Sequence, residues 1–241
     1  PGRRAPPIKV GQQPFVDRDH VLPVDGSHSL WDCTLEPATL GRPPDLRPAL
    51  RLGLRLVKGL HAGDAHRLTD ARQQRRAAGG RFHSLTDLWR AVRIPVRALR
   101  ALARADAFAS LGLDRQRALW EIQRLHDDPL PLLDALADPP ADEGLPTIAP
   151  ARRVVHDYAS VGLSLKAHPL SFVRPHLDRL GIMPNAHLRD PLLTPSLKPA
   201  AFAGLVLVRQ RPSTASGVVF ITLEDEAATA NLIIRPHIYE R

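Results

Sequence analysis

Apolar residues recur at helical spacing through the middle of the chain and at strand spacing near its end. Ala65, Leu68 and Ala71 repeat every three residues while Arg67, Arg72, Arg75 and Arg76 fall elsewhere, which predicts an amphipathic helix with a basic outer face. The helical part is read as beginning near Leu50. Ser84 with Asp87 resembles a capping box opening a short helix through Leu85, Leu88 and Trp89. Pro95 suits the first position of a helix that turns Val96, Leu99, Leu102 and Ala103 inward and Arg97, Arg100 and Arg104 outward. Asp114 can cap a fourth helix carrying Leu119, Ile122 and Leu125 on one side.

Further helices are expected at Arg152 to Gly162 and Leu170 to Leu180. The pattern then changes: Phe202 to Val208, Val218 to Leu223 and Ala230 to Ile234 read as strands, with a turn at Pro212 to Gly217. A short strand is also expected at His20 to Val24. These patterns divide the chain into an irregular stretch at 1–49, a helical region at 50–125, a linker with short helices at 126–198 and a β region at 199–241. The fold class is α+β and multidomain.

Charge sharpens this division. The chain of 241 residues carries a net +8, but residues 47–124 hold 17 Lys or Arg against 6 Asp or Glu, whereas 125–150 hold six carboxylates and no Lys or Arg. A regional excess of Arg suits a polyanion, because a guanidinium grips phosphate oxygens bidentately or stacks on a base. A skewed genomic base composition would raise Arg equally well. Cys33 is the single cysteine, which excludes an internal disulfide or a multi-cysteine metal site and fits a reducing cytoplasm. No apolar run approaches the roughly 18 to 20 residues that span a membrane. The opening PGRRAPPIKVGQQP lacks a signal-peptide core, and a first residue of Pro points to a piece of a longer chain.

Within the basic region, Leu54 to Ala65 reads as helix, Gly-bearing hairpin and helix, with hairpin amides and a helix N-terminus offered to a DNA phosphate. Gly59 and Gly63 would supply positive φ and close backbone approach, and Lys58 and Arg67 charge. Two glycines between helices are also, more commonly, a plain turn. In the β region Arg209, Arg211 and Phe220 would give the charge and stacking surface that OB-folds use on single strands, although Phe220 serves equally as a core residue. Only three of an OB-fold's five strands fit before Arg241.

Catalytic candidates are weak. Asp17 with Asp19, Asp127 with Asp128, and Glu224-Asp225-Glu226 are the paired carboxylates, and each reads as structural or solvated. His156 and His168 read as ordinary helix or turn residues. No catalytic or metal-ligating residue is assigned.

Several stretches resemble the error-prone C-family DNA polymerases, relatives of the bacterial DNA polymerase III alpha subunit. They are Ser27 to Glu36, Leu50 to Leu60, Phe82 to Arg90, Ala105 to Arg115, Val155 to Leu170 and Gly204 to Glu226, in family order over most of residues 23–241. The resemblance implies that 1–49 ends the polymerase fingers, 50–125 is a helix-hairpin-helix region on duplex DNA, and 199–241 is a truncated OB-fold. It implies a C-terminal part of a polymerase whose palm carboxylates and magnesium lie upstream, acting by nucleotidyl transfer in damage-tolerant synthesis during DNA repair. The partners it implies are primer-template duplex and single-stranded template, with mutasome or replisome proteins as candidates. Ala227 to Ala230 and Arg235 depart from the family pattern. The alternatives are a stand-alone non-catalytic DNA-binding module, a decayed polymerase fragment, or a plain basic scaffold.

Overall fold

In the computed structural model, which describes residues 20–37, 48–125, 146–189, 192 and 199–239, helix formation begins later than the pattern predicts. Val21–Leu22 (β1), Thr34–Glu36 (β2) and Ala49–Arg51 (β3) form a small sheet with β3 in the middle, parallel to β1 and antiparallel to β2. Leu50 is therefore in a strand. Tertiary acceptors take the donors a helix would need: Leu52 N–H bonds to Leu22 O, Leu54 N–H to Leu30 O, and Arg55 N–H to Trp31 O. Only a single 3-10 turn, Leu54–Leu56, follows.

Gly53 permits this contact, since a Cβ there would lie 2.5 Å from Trp31 O and from the Asp32 carbonyl carbon. Arg51 grips Glu36 through two bonds of 2.8 and 2.9 Å across the sheet. Those bonds hold the Glu36 carboxyl below its ordinary pKa.

Four helices follow: Ala62–Ala77 (α1), Leu85–Val92 (α2), Val96–Arg104 (α3) and Arg115–Ile122 (α4). Their starts obey local chemistry. Ser84 Oγ accepts from Asp87 N–H and Asp114 Oδ1 from Arg117 N–H, each satisfying a first-turn amide. The Asp87 carboxylate accepts from His83 N–H rather than completing the box at Ser84. Pro95 is the N-cap, one residue before the helical position expected of it.

Leu54, Leu68, Leu85, Leu88, Leu99, Leu102, Phe108 and Ile122 are almost wholly buried. Val96 and Ala103 also face inward while Arg97, Arg100 and Arg104 are exposed, as the spacing requires. Arg72 departs from that spacing. It is buried, and its Nη1 donates to Gly26 O and Ser29 O at 3.2 and 3.0 Å. Its place on a basic outer face is thus corrected, because the Asp25 to Ser29 turn, remote in sequence, covers that side of α1.

The described chain divides into two units, Pro1–Leu145 and Pro146–Arg241. The second contains Pro150–Ser160 (α5), a 3-10 turn at Pro169–Phe172 and Arg174–Arg179 (α6). Leu170 to Leu180 is thus not one helix. Pro175 lacks the N–H that would bond back four residues and opens α6 instead. His168 caps the 3-10 turn, its Nδ1 accepting from Leu170 N–H.

Ile182–Met183 (β4) pairs in parallel with Ala201–Phe202 (β5). Leu205–Gln210 (β6), Val219–Glu224 (β7) and Thr229–Ile234 (β8) form an antiparallel meander, and Pro236–Tyr239 (α7) follows. Residues 146–189, within the expected linker, are tied to this meander. Arg174 bonds both Glu226 and Asp225, and Asp225 Oδ2 accepts from Asn185 N–H at 2.7 Å. Asp225 Oδ1 accepts from the Ala227 and Ala228 amides, so this carboxylate organises a turn. Asp17, Asp19, Asp127 and Asp128 lie outside the described residues. The class is a mixed α+β arrangement, helices followed by sheet.

Candidate nucleic-acid interface

The hairpin expected around Gly59 forms, but what precedes it is the strand and 3-10 turn, not a helix. Leu54, Val57 and Leu60 are buried and anchor the loop from below. Gly59 has φ 85°, a left-handed conformation that other side chains resist. Gly63 does not share that role, for it is the second residue of α1 with ordinary helical geometry. What the two glycines share is open space: a Cβ added at either meets nothing within 4 Å. The first-turn amides of α1 at Ala62 and Gly63 have no acceptor within the helix, and a phosphate could approach them closely. Lys58, next to Gly59 in the chain, is exposed.

Sequence reasoning missed a second hairpin. α2 ends at Arg93, whose φ of 52° is left-handed, and the chain turns through buried Ile94 and Pro95 directly into α3. The spacing Ile94-Pro95-Val96 between two apolar helices was the available signal. Arg93, Arg97, Arg100 and Arg104 place exposed guanidinium groups at this hairpin and along one side of α3. Arg100 and Arg104 pair with no described residue.

Asp64 joins the hairpins. Its carboxylate is 2% exposed, accepts from Arg67 Nη2 at 2.5 Å, and lies 3.2 Å from Arg97 Nη2. The second contact is an ion contact without hydrogen-bond alignment, since Oδ2 has no hydrogen-bond partner. One buried anion thus links the first turn of α1 to that of α3 through the Arg97 side chain. Arg67, expected as a phosphate ligand, spends part of its charge on this anion while staying half exposed.

Arg209, Arg211 and Phe220 do not form one surface. Residues opposite each other in an antiparallel ladder share a face, and neighbours along a strand alternate. Arg209 is opposite Ile221, while Phe220 is opposite Gln210 and Ile233. The arginine and the ring therefore lie on opposite faces. Arg211 is past the end of β6, with Nη2 3.5 Å from the position a Cβ on Gly217 would occupy. Phe220 is 39% exposed, with Val208 at 44% and Ile233 at 68% on the same face, so its alternative role in the core is not the one it takes here.

Among the described residues, no group of three or more His, Cys, Asp or Glu gathers as metal ligands, and no helix is long and apolar enough to cross a membrane.

Comparison with known proteins accords with the hairpins. A family model described as "Helix-hairpin-helix motif" matches residues 19–118, a range containing both. Error-prone DNA polymerase 2 of Rhizobium meliloti is 41% identical over 244 residues, covering 93% of this chain and 21% of the relative. Error-prone DNA polymerase of Methylococcus capsulatus is 43% identical over 237 residues, covering 90% and 21%. Error-prone DNA polymerase 1 of Agrobacterium fabrum is 44% identical over 243 residues, covering 93% and 21%. The chain thus spans about a fifth of the length of the relatives it matches. On these grounds it is a relative of the error-prone DNA polymerases, matched over nearly its whole length, and carries a helix-hairpin-helix motif.

Proposed function

We propose that this chain grips duplex DNA for an error-prone DNA polymerase. The observation that carries the reading is the link that Asp64 makes from the first turn of α1 to Arg97 in the first turn of α3, with Lys58, Arg93 and Arg100 exposed in the same region of the chain. The first turn of α1 can take a phosphate through its Ala62 and Gly63 amides and the helix dipole, with the arginines adding sequence-independent attraction. Binding of this kind fixes a duplex in register without reading its bases.

In the whole polymerase, template-directed nucleotidyl transfer, its acidic metal ligands and magnesium would be supplied by residues outside this stretch. Damage-tolerant synthesis in the bacterial cytoplasm and contacts with mutasome proteins belong to the same proposal. The β6–β8 meander is read as part of an OB-fold whose Phe220 face stacks on single-stranded template, supported by the exposure of that ring beside Val208 and Ile233.

Fluorescence anisotropy of a labelled primer-template, titrated with the chain at several salt concentrations, tests the duplex reading. Affinity is expected to fall linearly in log–log form with salt, as counterions are released. Lys58→Gln and Arg100→Gln are each expected to flatten that slope by about one. Unchanged slopes in both variants would sink the hairpin assignment.

A further inference from the structure

A cavity of about 170 Å³ lies within the first unit, its lining including Ser27, His28, Arg72, Arg75, Arg76 and Arg81 and no residue of either hairpin loop. Four arginines therefore line one small space. Among the described residues, only Arg75 of the four is matched by a bonded carboxylate, at 2.5 Å from Asp87, and it also lies 5.4 Å over the Phe82 ring. Arg76 donates to the Ser27 carbonyl at 2.9 Å, and Arg72 to two carbonyls. Arg81 makes no hydrogen bond or ion pair with any described residue.

Asp25 is the other nearby acid, and its Oδ1 is already engaged by Ser110 Oγ at 2.8 Å, Ser27 N–H at 2.7 Å and His28 Nδ1 at 3.1 Å. Among the described residues, setting Asp25 and Asp87 against the four arginines leaves an excess of two positive charges. Burial, with Arg76 close by, pulls the Arg72 pKa down against the opposing pull of Asp25. Arg72, the one of the four that is buried, is destabilised in this condition until an anion joins it.

We infer that this cavity is a phosphate-binding site, in which Arg72, Arg76 and Arg81 hold a phosphate group and Ser27 donates to it. Hydroxyl chemistry supports Ser27. Asp25 can only accept, so the single Ser110 proton goes to it, and Ser27 Oγ, 2.8 Å from Ser110 Oγ, keeps its own proton to turn toward Ser110 or a ligand. His28, with Nδ1 on Asp25, has Nε2 left to face the anion. Size agrees too, for the volume far exceeds the roughly 10–15 Å³ that one water needs, so a polyatomic anion fits. The occupant is a phosphate carried either on a DNA strand or on a small free compound, and the chemistry of the pocket serves both.

Isothermal titration of the whole 241-residue chain with inorganic pyrophosphate at low chloride tests the site, with thermal melting used to confirm that each variant is folded. Arg76→Gln and Arg81→Gln, both at exposed positions, are each expected to weaken pyrophosphate at least tenfold, Arg81→Lys less so. Arg124→Gln, exposed and not among the cavity-lining residues, is expected to leave it unchanged. Competition with labelled duplex separates the sources: pyrophosphate that displaces duplex identifies a strand phosphate as the occupant, and pyrophosphate that binds without displacing it identifies a free compound. The site is overturned if folded wild-type chain binds no pyrophosphate and the two Gln variants keep full duplex affinity, or if pyrophosphate binding survives both substitutions. Lys58→Gln reads the hairpins and Arg81→Gln reads the cavity, so either reading can fail alone.

Discussion

Replacing Asp64 with Ala removes the anion on which both hairpins converge. The bond from Arg67, a hydrogen bond between charged groups, is worth about 1.5–3 kcal/mol. The position of Asp64 in the first turn of α1 adds about 0.3–1 kcal/mol through the helix dipole. Both arginines are 54% exposed and regain water when released, which places the net loss toward the lower end, about 2–3 kcal/mol. Urea unfolding followed by tryptophan fluorescence measures it cleanly, because Trp31, Trp89 and Trp120 all lie in the first unit and the signal ignores the second. A double-mutant cycle with Arg97→Ala then isolates the bridge between α1 and α3. A loss below about 0.5 kcal/mol, the ordinary range for a surface substitution, would refute the claim that Asp64 organises the interface. Strict additivity with Arg97→Ala would refute the bridge alone.

Three further outcomes are expected. Glu36→Gln lowers the melting temperature at neutral pH; because the folded carboxyl titrates below its usual value near 4.3, the wild-type advantage is present above that pH and disappears as pH falls through the lowered folded pKa. Gly53→Ala forces Cβ against Trp31 O and is expected to destabilise the first unit by about 1–3 kcal/mol in the same urea assay. Asp225→Ala leaves three backbone amides without their acceptor and takes from Arg174 one of its two carboxylate partners, Glu226 remaining, a loss of about 3–5 kcal/mol that hydrogen exchange across residues 219–234 would report.

Periodicity and capping made most of the regular elements legible from sequence. The spacing of Val96, Leu99 and Leu102 identified α3, and Ser84 and Asp114 marked two helix starts because a cap acts within three residues of itself. The strands β7 and β8 announced themselves by β-branched runs between turn formers. Failures fell where a distant segment intervened. Leu50 lies in a strand because Val21 and Leu35 flank it. Arg72 faces inward because the Asp25 to Ser29 turn supplies carbonyls to it. Arg209 and Phe220, although both in the β region, are separated by a sheet whose register no local pattern fixes.

By itself the sequence determined the local elements, the basic character of the first unit and the kinship with error-prone polymerases, since these depend on spacing, charge and identity along the chain. Tertiary structure alone decided which distant charges meet: Asp64 with Arg97, Arg174 with Asp225, and four arginines around one cavity. Such encounters are set by how helices and turns pack, and a guanidinium forty residues away in sequence carries no local mark of the partner that packing gives it.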